Sequence, residues 1–262
     1  MKPQLKRQLL AAILACTAIG MACAKDITEI RFGTDPANAP FEFKDKDGKL
    51  AGFDIDLGNA ICAQLKAKCS WTENDFDGMI PALKAKKFDV INASMSVTEK
   101  RLKEIDFSSR VSHTPSRMVA KAGSKLLPAP ESLKGKRVGV QQGTTHETYA
   151  KEKWGKAGVE VVSYAKNDQI YADLQAGRLD AAVMDGVEAS DNFLKLPQGK
   201  GFAFAGAELK DDKIFGHGTG LGVRKEDAEL KAALNKALAE LKANGTYKKL
   251  MTKYFAMDVS GD

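Results

Sequence analysis

The chain has 262 residues, with 40 basic and 34 acidic side chains, a formal charge of +6 and three histidines. A length of this order buries a full core as one large domain or two small ones, and its Lys and Glu residues are interspersed along the chain, not gathered into one stripe, which argues against nucleic acid as a partner. The histidines, His113, His146 and His217, stand apart from Cys62 and Cys69, so no metal and no cofactor is expected.

The N-terminus reads as an export signal. Lys2, Lys6 and Arg7 precede the apolar run Leu9 to Ala15, and the small-residue triplet Ala22, Cys23, Ala24 closes the segment. A spanning helix needs about 20 mainly apolar residues, and this run is shorter and diluted by Thr17 and Gly20. Cleavage after Ala24 and release into the periplasm are expected, with a lipid-modified Cys16 as the alternative. Removing residues 1–24 takes away three basic residues and no acidic one, which lowers the formal charge from +6 to +3. It also leaves Cys62 and Cys69 as the remaining cysteines. In an oxidising compartment such a pair suggests a disulfide, the alternative being two buried thiols.

Along the rest of the chain short β-type runs alternate with helical ones. Ile27 to Gly33 reads as a strand, Leu57, Ile61 and Leu65 mark a helix face, and Ser70 to Glu73 is strand-like. After Pro115 a second series begins: strand Lys136 to Val140, a helix after Gly143, strand Val159 to Tyr164, helix Gln169 to Ala176, strand Ala181 to Met184. This is an α/β pattern that predicts parallel strands in two successive lobes. The glycine-studded run Gly216 to Val223 then leads to helices over Glu226 to Ala243 and Thr246 to Phe255, with Gly245 as the stop between them.

Three features suit a zwitterion. Arg101, after the polar stretch Ser94 to Lys100, offers a fork for a carboxylate, or else pairs with Glu99 or Glu104 as a solvated helix residue. Thr145 lies in the turn Gln142 to Glu147 between a strand and a helix, where backbone N–H groups meet an anion; simple N-capping by Thr144 or Thr145 is the competing role. Asp185 follows a strand, where open α/β sheets collect ligands, and either binds an ammonium or caps the helix after Gly186.

Taken together, these stretches resemble the periplasmic amino-acid-binding proteins of ABC importers, in particular the histidine-binding and lysine/arginine/ornithine-binding subgroup. The likeness runs through Gly33-Thr34-Asp35-Pro36, Pro40-Phe41-Glu42, Gly52 to Leu57, Ser96 to Arg101, Leu133 to Val140 and Gly218-Thr219-Gly220, and the Cys62 and Cys69 spacing matches too. It implies the two-lobed periplasmic binding protein fold, each lobe a central sheet flanked by helices and joined by two hinge strands. Lobe I is expected over residues 25–114 and 215–262, and lobe II over 115–214. It implies that Arg101 and the Thr145 amide bind the ligand carboxylate, and that Asp185, helped by Ser94 and Ser96, binds the ammonium. Asp35, Asn38, Phe76, Ala93, Gln141 and His146 then face the ligand side chain. A free amino acid and an ABC permease are the implied partners, the chain is expected as a monomer, and no enzyme activity is expected.

The sequence departs from that subgroup where Asn38 replaces an aromatic, Gln141 an apolar residue and His146 a neutral polar one. The pocket is therefore expected to be wetter, with a basic amino acid preferred and glutamine or another neutral polar one as the alternative. An exported cyclohexadienyl dehydratase on the same fold is the rival from another class, with Asp35 or Glu147 cast as general acid. A receptor sensor domain is not expected, since no membrane anchor follows Asp262.

Overall fold

The computed structural model describes residues 27–261. The export-signal reading of residues 1–24, with Cys16, Cys23 and the cut after Ala24, lies outside the described residues, as does Asp262. Two five-stranded sheets organise the chain. Across the first, the strand order is Lys68–Glu73, Glu29–Thr34, Val90–Ile91, Gly222–Val223, Asp106–Phe107. Across the second it is Glu160–Tyr164, Arg137–Gln141, Ala181–Asp185, Ser116–Lys121, Phe202–Phe204.

Strands linked by a helix pair in parallel, as the alternation of elements predicts, with Ile30 opposite Cys69 and Val138 opposite Val161. The all-parallel expectation is corrected elsewhere. Gly222–Val223 runs antiparallel to both neighbours, and Ser116–Lys121 runs antiparallel to Ala181–Asp185 and Phe202–Phe204. The cause is topological. Ser116–Lys121 and Gly222–Val223 carry the chain into a sheet from the other one, and so enter from the end opposite to strands that follow a crossover helix. The two crossings lie side by side: the Thr219 amide donates to the Ser112 carbonyl at 2.7 Å, and their hydroxyls are 2.7 Å apart.

Period-two burial explains how each sheet is covered on both faces. In the first sheet Phe32 and Val90 join a core with the helices Phe53–Leu65, Ala228–Ala243 and Thr246–Tyr254, while Ile91 faces Met79 and Leu83 of the helix Met79–Lys84. In the second, Val138, Val140 and Val183 pack with Ala150 and Trp154, and Ala182 and Met184 with Ile170 and Phe193. Cys62, near the end of the helix Phe53–Leu65, is disulfide-bonded to Cys69 in the next strand. A three-stranded sheet of Ala37–Asn38, Glu42–Lys44 and Leu50–Ala51 extends the first unit. The charges from Lys44 to Lys49 hide these short strands from a hydrophobicity reading. No helix among the described residues is long and apolar enough to cross a membrane.

Candidate functional site

A cavity of about 90 Å³ lies between the two sheets, and every residue expected to face a bound amino acid lines it: Asp35, Asn38, Phe76, Ala93, Ser94, Ser96 and Arg101 from the first unit, and Gln141, Thr145, His146 and Asp185 from the second, whereas Glu147 does not. Its floor includes Ser112 and Thr219 of the two crossings. Among the described residues no cluster of His, Cys, Asp and Glu is arranged to hold a metal ion.

Arg101 is held by a short helix, Glu99–Leu102, whose cap is Thr98: the Arg101 amide donates to the Thr98 hydroxyl at 3.3 Å. The residue is only 8% exposed. Its guanidinium donates to the Ser96 carbonyl at 2.8 Å and, across the cavity, to the Gly143 carbonyl at 3.1 Å, and it lies over the Phe76 ring at 5.4 Å. Among the described residues no carboxylate pairs with it. The ion pair with Glu99 or Glu104 that the spacing allowed is not formed, and Glu104 instead takes Lys84 at 3.2 Å. Burial without a counter-charge lowers the guanidinium to about 10. A buried cation in this condition presents an anion site to the cavity.

Opposite it, Thr144 is the N-cap of the helix Thr145–Lys153, accepting from the Glu147 amide at 3.2 Å and donating to the Gln141 carbonyl at 2.6 Å. Capping therefore falls to Thr144. Thr145 takes the first helical position, where an amide has no acceptor within its helix. Gly143 enters this turn at φ 76, and a Cβ there would stand 2.7 Å from Asp77 Cα, so only glycine permits the close approach between the two units. Asp185 caps the helix Gly186–Ala189 through Oδ1, accepting from the Val187 and Glu188 amides at 2.8 and 3.0 Å, and its Oδ2 accepts from the Thr114 hydroxyl. It caps and lines the cavity at once. Burial raises its carboxyl, with these donors opposing.

Polar groups line the rest of the cavity as well. Asp35 accepts from Gln141 Nε2 at 2.9 Å, and Asn38 Nδ2 donates to Glu42 at 3.0 Å. His146 Nε2 meets the Ser116 hydroxyl at 3.0 Å, and its ring approaches Phe215 at 5.9 Å. Burial, reinforced by the Arg101 charge, lowers His146 to about 4, so the imidazole is neutral at pH 7.

Residues 30–257 match the family model of the bacterial extracellular solute-binding proteins, family 3. The chain belongs to that family. This family 3 protein is 56% identical over 233 residues to the lysine/arginine/ornithine-binding periplasmic protein of Escherichia coli (strain K12), covering 89% of this chain and 90% of that one. It is 52% identical over 252 residues to the histidine-binding periplasmic protein of the same strain, covering 96% and 97%. Among solved structures, an ancestral arginine-binding protein bound to arginine superimposes with a TM-score of 0.82 at 40% identity, covering 88% of this chain and all of that one (100%).

The family 3 protein also carries cavity residues that sequence reasoning did not assign. Glu42 lines the cavity beside Asn38 and Ser94, and Asp54, which does not line it, is buried next to Glu42. The Ser94 amide and hydroxyl both donate to Asp54 Oδ2, at 2.8 and 3.0 Å, from a backbone at φ 47. Burial and the neighbouring Asp54 charge push the Glu42 carboxyl well above its ordinary value. Both acids stand inside quoted motifs, but nothing in the local pattern distinguishes an inward acid there from a solvated one. Thr114 and Ser116 flank Pro115 at the first crossing, and Phe215 and Gly218 the second. Their sequence signal was the change of lobe and, for Gly218, the run Gly218-Thr219-Gly220.

Proposed function

We propose that this protein captures a free, polar L-amino acid of the basic class (arginine, lysine, ornithine or histidine) and delivers it to an ABC permease from the periplasm. The observation that carries the reading is the buried, carboxylate-free Arg101 facing the same cavity as Asp185. Two fixed charges of opposite sign suit the two charges every free amino acid bears. In this proposal the Arg101 fork and the Thr145 amide take the ligand carboxylate. Asp185 takes the ammonium, with the Ser94 and Ser96 oxygens completing its hydrogen bonds. Asp35, Asn38, Phe76, Ala93, Gln141 and His146 surround the side chain. The names of the relatives support the basic class, and neutral His146 does not oppose it.

The moving bodies in this proposal are lobe I, residues 25–114 and 215–262, and lobe II, residues 115–214, hinged at the paired crossings near Ser112 and Thr219. A ligand held by both lobes binds the closed arrangement better than the open one, and so favours closure. The dehydratase alternative loses one of its two acids: Asp35 is buried and its carboxyl raised by desolvation, with Lys166 and Gln141 opposing, but Glu147 does not fit. Glu147 is engaged by the Gly143 amide at 2.7 Å and by Lys151 at 2.7 Å, and its carboxyl is held below its ordinary value by Lys151, Ser163 and Gly143 against desolvation, the opposite of a general acid's need.

The test is a thermal-shift and calorimetric panel of the free L-amino acids on refolded, ligand-stripped protein. The basic amino acids are expected to give the largest stabilisation and the tightest binding. A panel in which glutamine or another neutral amino acid outcompetes every basic one overturns the proposed class, and no response to any amino acid overturns the proposed function.

A further inference from the structure

A cation of the protein's own stands against Asp35 at the side-chain end of the cavity. Asp35, 2% exposed, follows the strand Glu29–Thr34. Its Oδ1 lies 3.4 Å from Lys166 Nζ and its Oδ2 2.9 Å from Gln141 Nε2, so both oxygens already have a donor. Lys166 comes from the opposite unit, where it precedes the helix Asn167–Gln175, and its ammonium also reaches the more exposed Asp75 at 3.3 Å. The next residue, Asn167, is 5% exposed and lines the cavity, and its Oδ1 has no hydrogen-bond partner. A buried acceptor left unpaired is costly, and a donor supplied by a ligand removes that cost.

We propose that Lys166 and Asn167 are specificity residues: Lys166 offsets the charge of Asp35, and Asn167 accepts an N–H from the ligand side chain, so that this end reads hydrogen-bond donors more than it reads charge. The inference rests on the functional reading above and deepens it. A cationic side chain brought to Asp35 meets the Lys166 ammonium as a like charge, whereas a neutral donor of the same shape does not. Basic amino acids consequently lose part of the advantage that a bare carboxylate would give them. Asn167 treats the two kinds of ligand alike, because both present the N–H it lacks.

Lys166 also ties the two units together, and that role has a different signature. A latch changes the affinity of every ligand by the same factor, but an electrostatic offset changes the ratio between a charged ligand and its neutral isostere. L-Arginine and L-citrulline form that pair, since the ureido group keeps shape and N–H donors and drops the charge. Calorimetric titration of both into the full, ligand-stripped protein, its Lys166→Gln variant and its Asn167→Leu variant decides the matter. In Lys166→Gln the preference for arginine over citrulline is expected to grow at least tenfold. In Asn167→Leu both are expected to weaken fivefold or more at an unchanged ratio. Lys166→Met provides a second check, and urea unfolding shows that each variant is folded. An unchanged arginine-to-citrulline ratio in both Lys166 variants, or wild-type affinity in folded Asn167→Leu, overturns this inference alone. Wild-type protein that binds no amino acid overturns the functional reading, and the inference with it.

Discussion

Replacing Arg101 by Met should move binding and stability in opposite directions. In the proposed complex the guanidinium makes charge-assisted hydrogen bonds to the ligand carboxylate, each contributing roughly 1.5–3 kcal/mol, and no other cavity residue supplies a fixed cation at that spot. Loss of more than about 2 kcal/mol weakens every α-amino acid about thirtyfold or more, whatever its side chain. In the protein alone the same charge is a burden. Burial has lowered the group to about 10, which at about 1.36 kcal/mol per pH unit corresponds to a penalty on the order of 3 kcal/mol for keeping it charged. The two carbonyl contacts, to Ser96 and Gly143, return part of this. Met keeps the length and removes the charge, and buried charges replaced by apolar residues of similar size are commonly neutral or stabilising. Calorimetry with L-arginine and L-glutamine measures the first effect, and urea unfolding without ligand the second. Near-normal binding of either amino acid would falsify the assignment of Arg101 to the carboxylate, and a stability loss above about 1 kcal/mol would show that its carbonyl contacts outweigh desolvation.

Three further outcomes are expected. Gly143→Ala places a Cβ against Asp77 at φ 76, a conformation that costs a non-glycine residue roughly 1–2 kcal/mol before any clash; calorimetry should show all ligands weakened about tenfold or more, and wild-type affinity would show that the lobes need not approach so closely. Reducing the Cys62–Cys69 bridge, or replacing both residues by serine, releases a short loop and should lower the urea-unfolding free energy by roughly 2–3 kcal/mol, with ligand affinity within about twofold of wild type. Glu188 is buried, accepts from Tyr171 and is raised by desolvation from 4.5 to about 8. Folding thus favours its protonated form, so its contribution is full below about pH 4.5 and is lost as pH rises toward 8. The stability gain of Glu188→Gln should grow from about 1 kcal/mol at pH 5 to about 4 kcal/mol at pH 8, and a pH-independent difference would refute the assignment.

The alternation of apolar runs and helices made the α/β class legible, and the charged or polar residue just past each run pointed to the cavity. Thr145 and Asp185 stand close to the ends of parallel strands, where such sheets collect ligands, whereas Arg101 follows its strand by ten residues, on the helix Glu99–Leu102. What stayed hidden depends on partners far away in the chain. Lys166 reads locally as an ordinary solvated lysine, and only the fold brings Asp35, 131 residues earlier, against it. Gln141 reads as a free hydrogen-bonding group but is occupied by that same carboxylate. Strand direction escaped for a similar reason: antiparallel entry of Ser116–Lys121 and Gly222–Val223 follows from where the chain has just been, and their composition carries no trace of it.

The interleaved first sheet has a consequence for how the chain becomes a protein. All strands of the second sheet come from one continuous stretch, Ser116 to Phe204, so that sheet has its full set of strands as soon as the stretch is available. The first sheet does not. Gly222–Val223 sits between Val90–Ile91 and Asp106–Phe107, and the covering helices Ala228–Ala243 and Thr246–Tyr254 are later still. A chain emerging from its N-terminus has only the helix Phe53–Leu65 to cover Ile30, Phe32 and Val90 until Ala228–Ala243 and Thr246–Tyr254 have appeared. Such long-range closure is intrinsically slow, and the first sheet, which carries the Arg101 half of the cavity, is the last to gain its full set of strands.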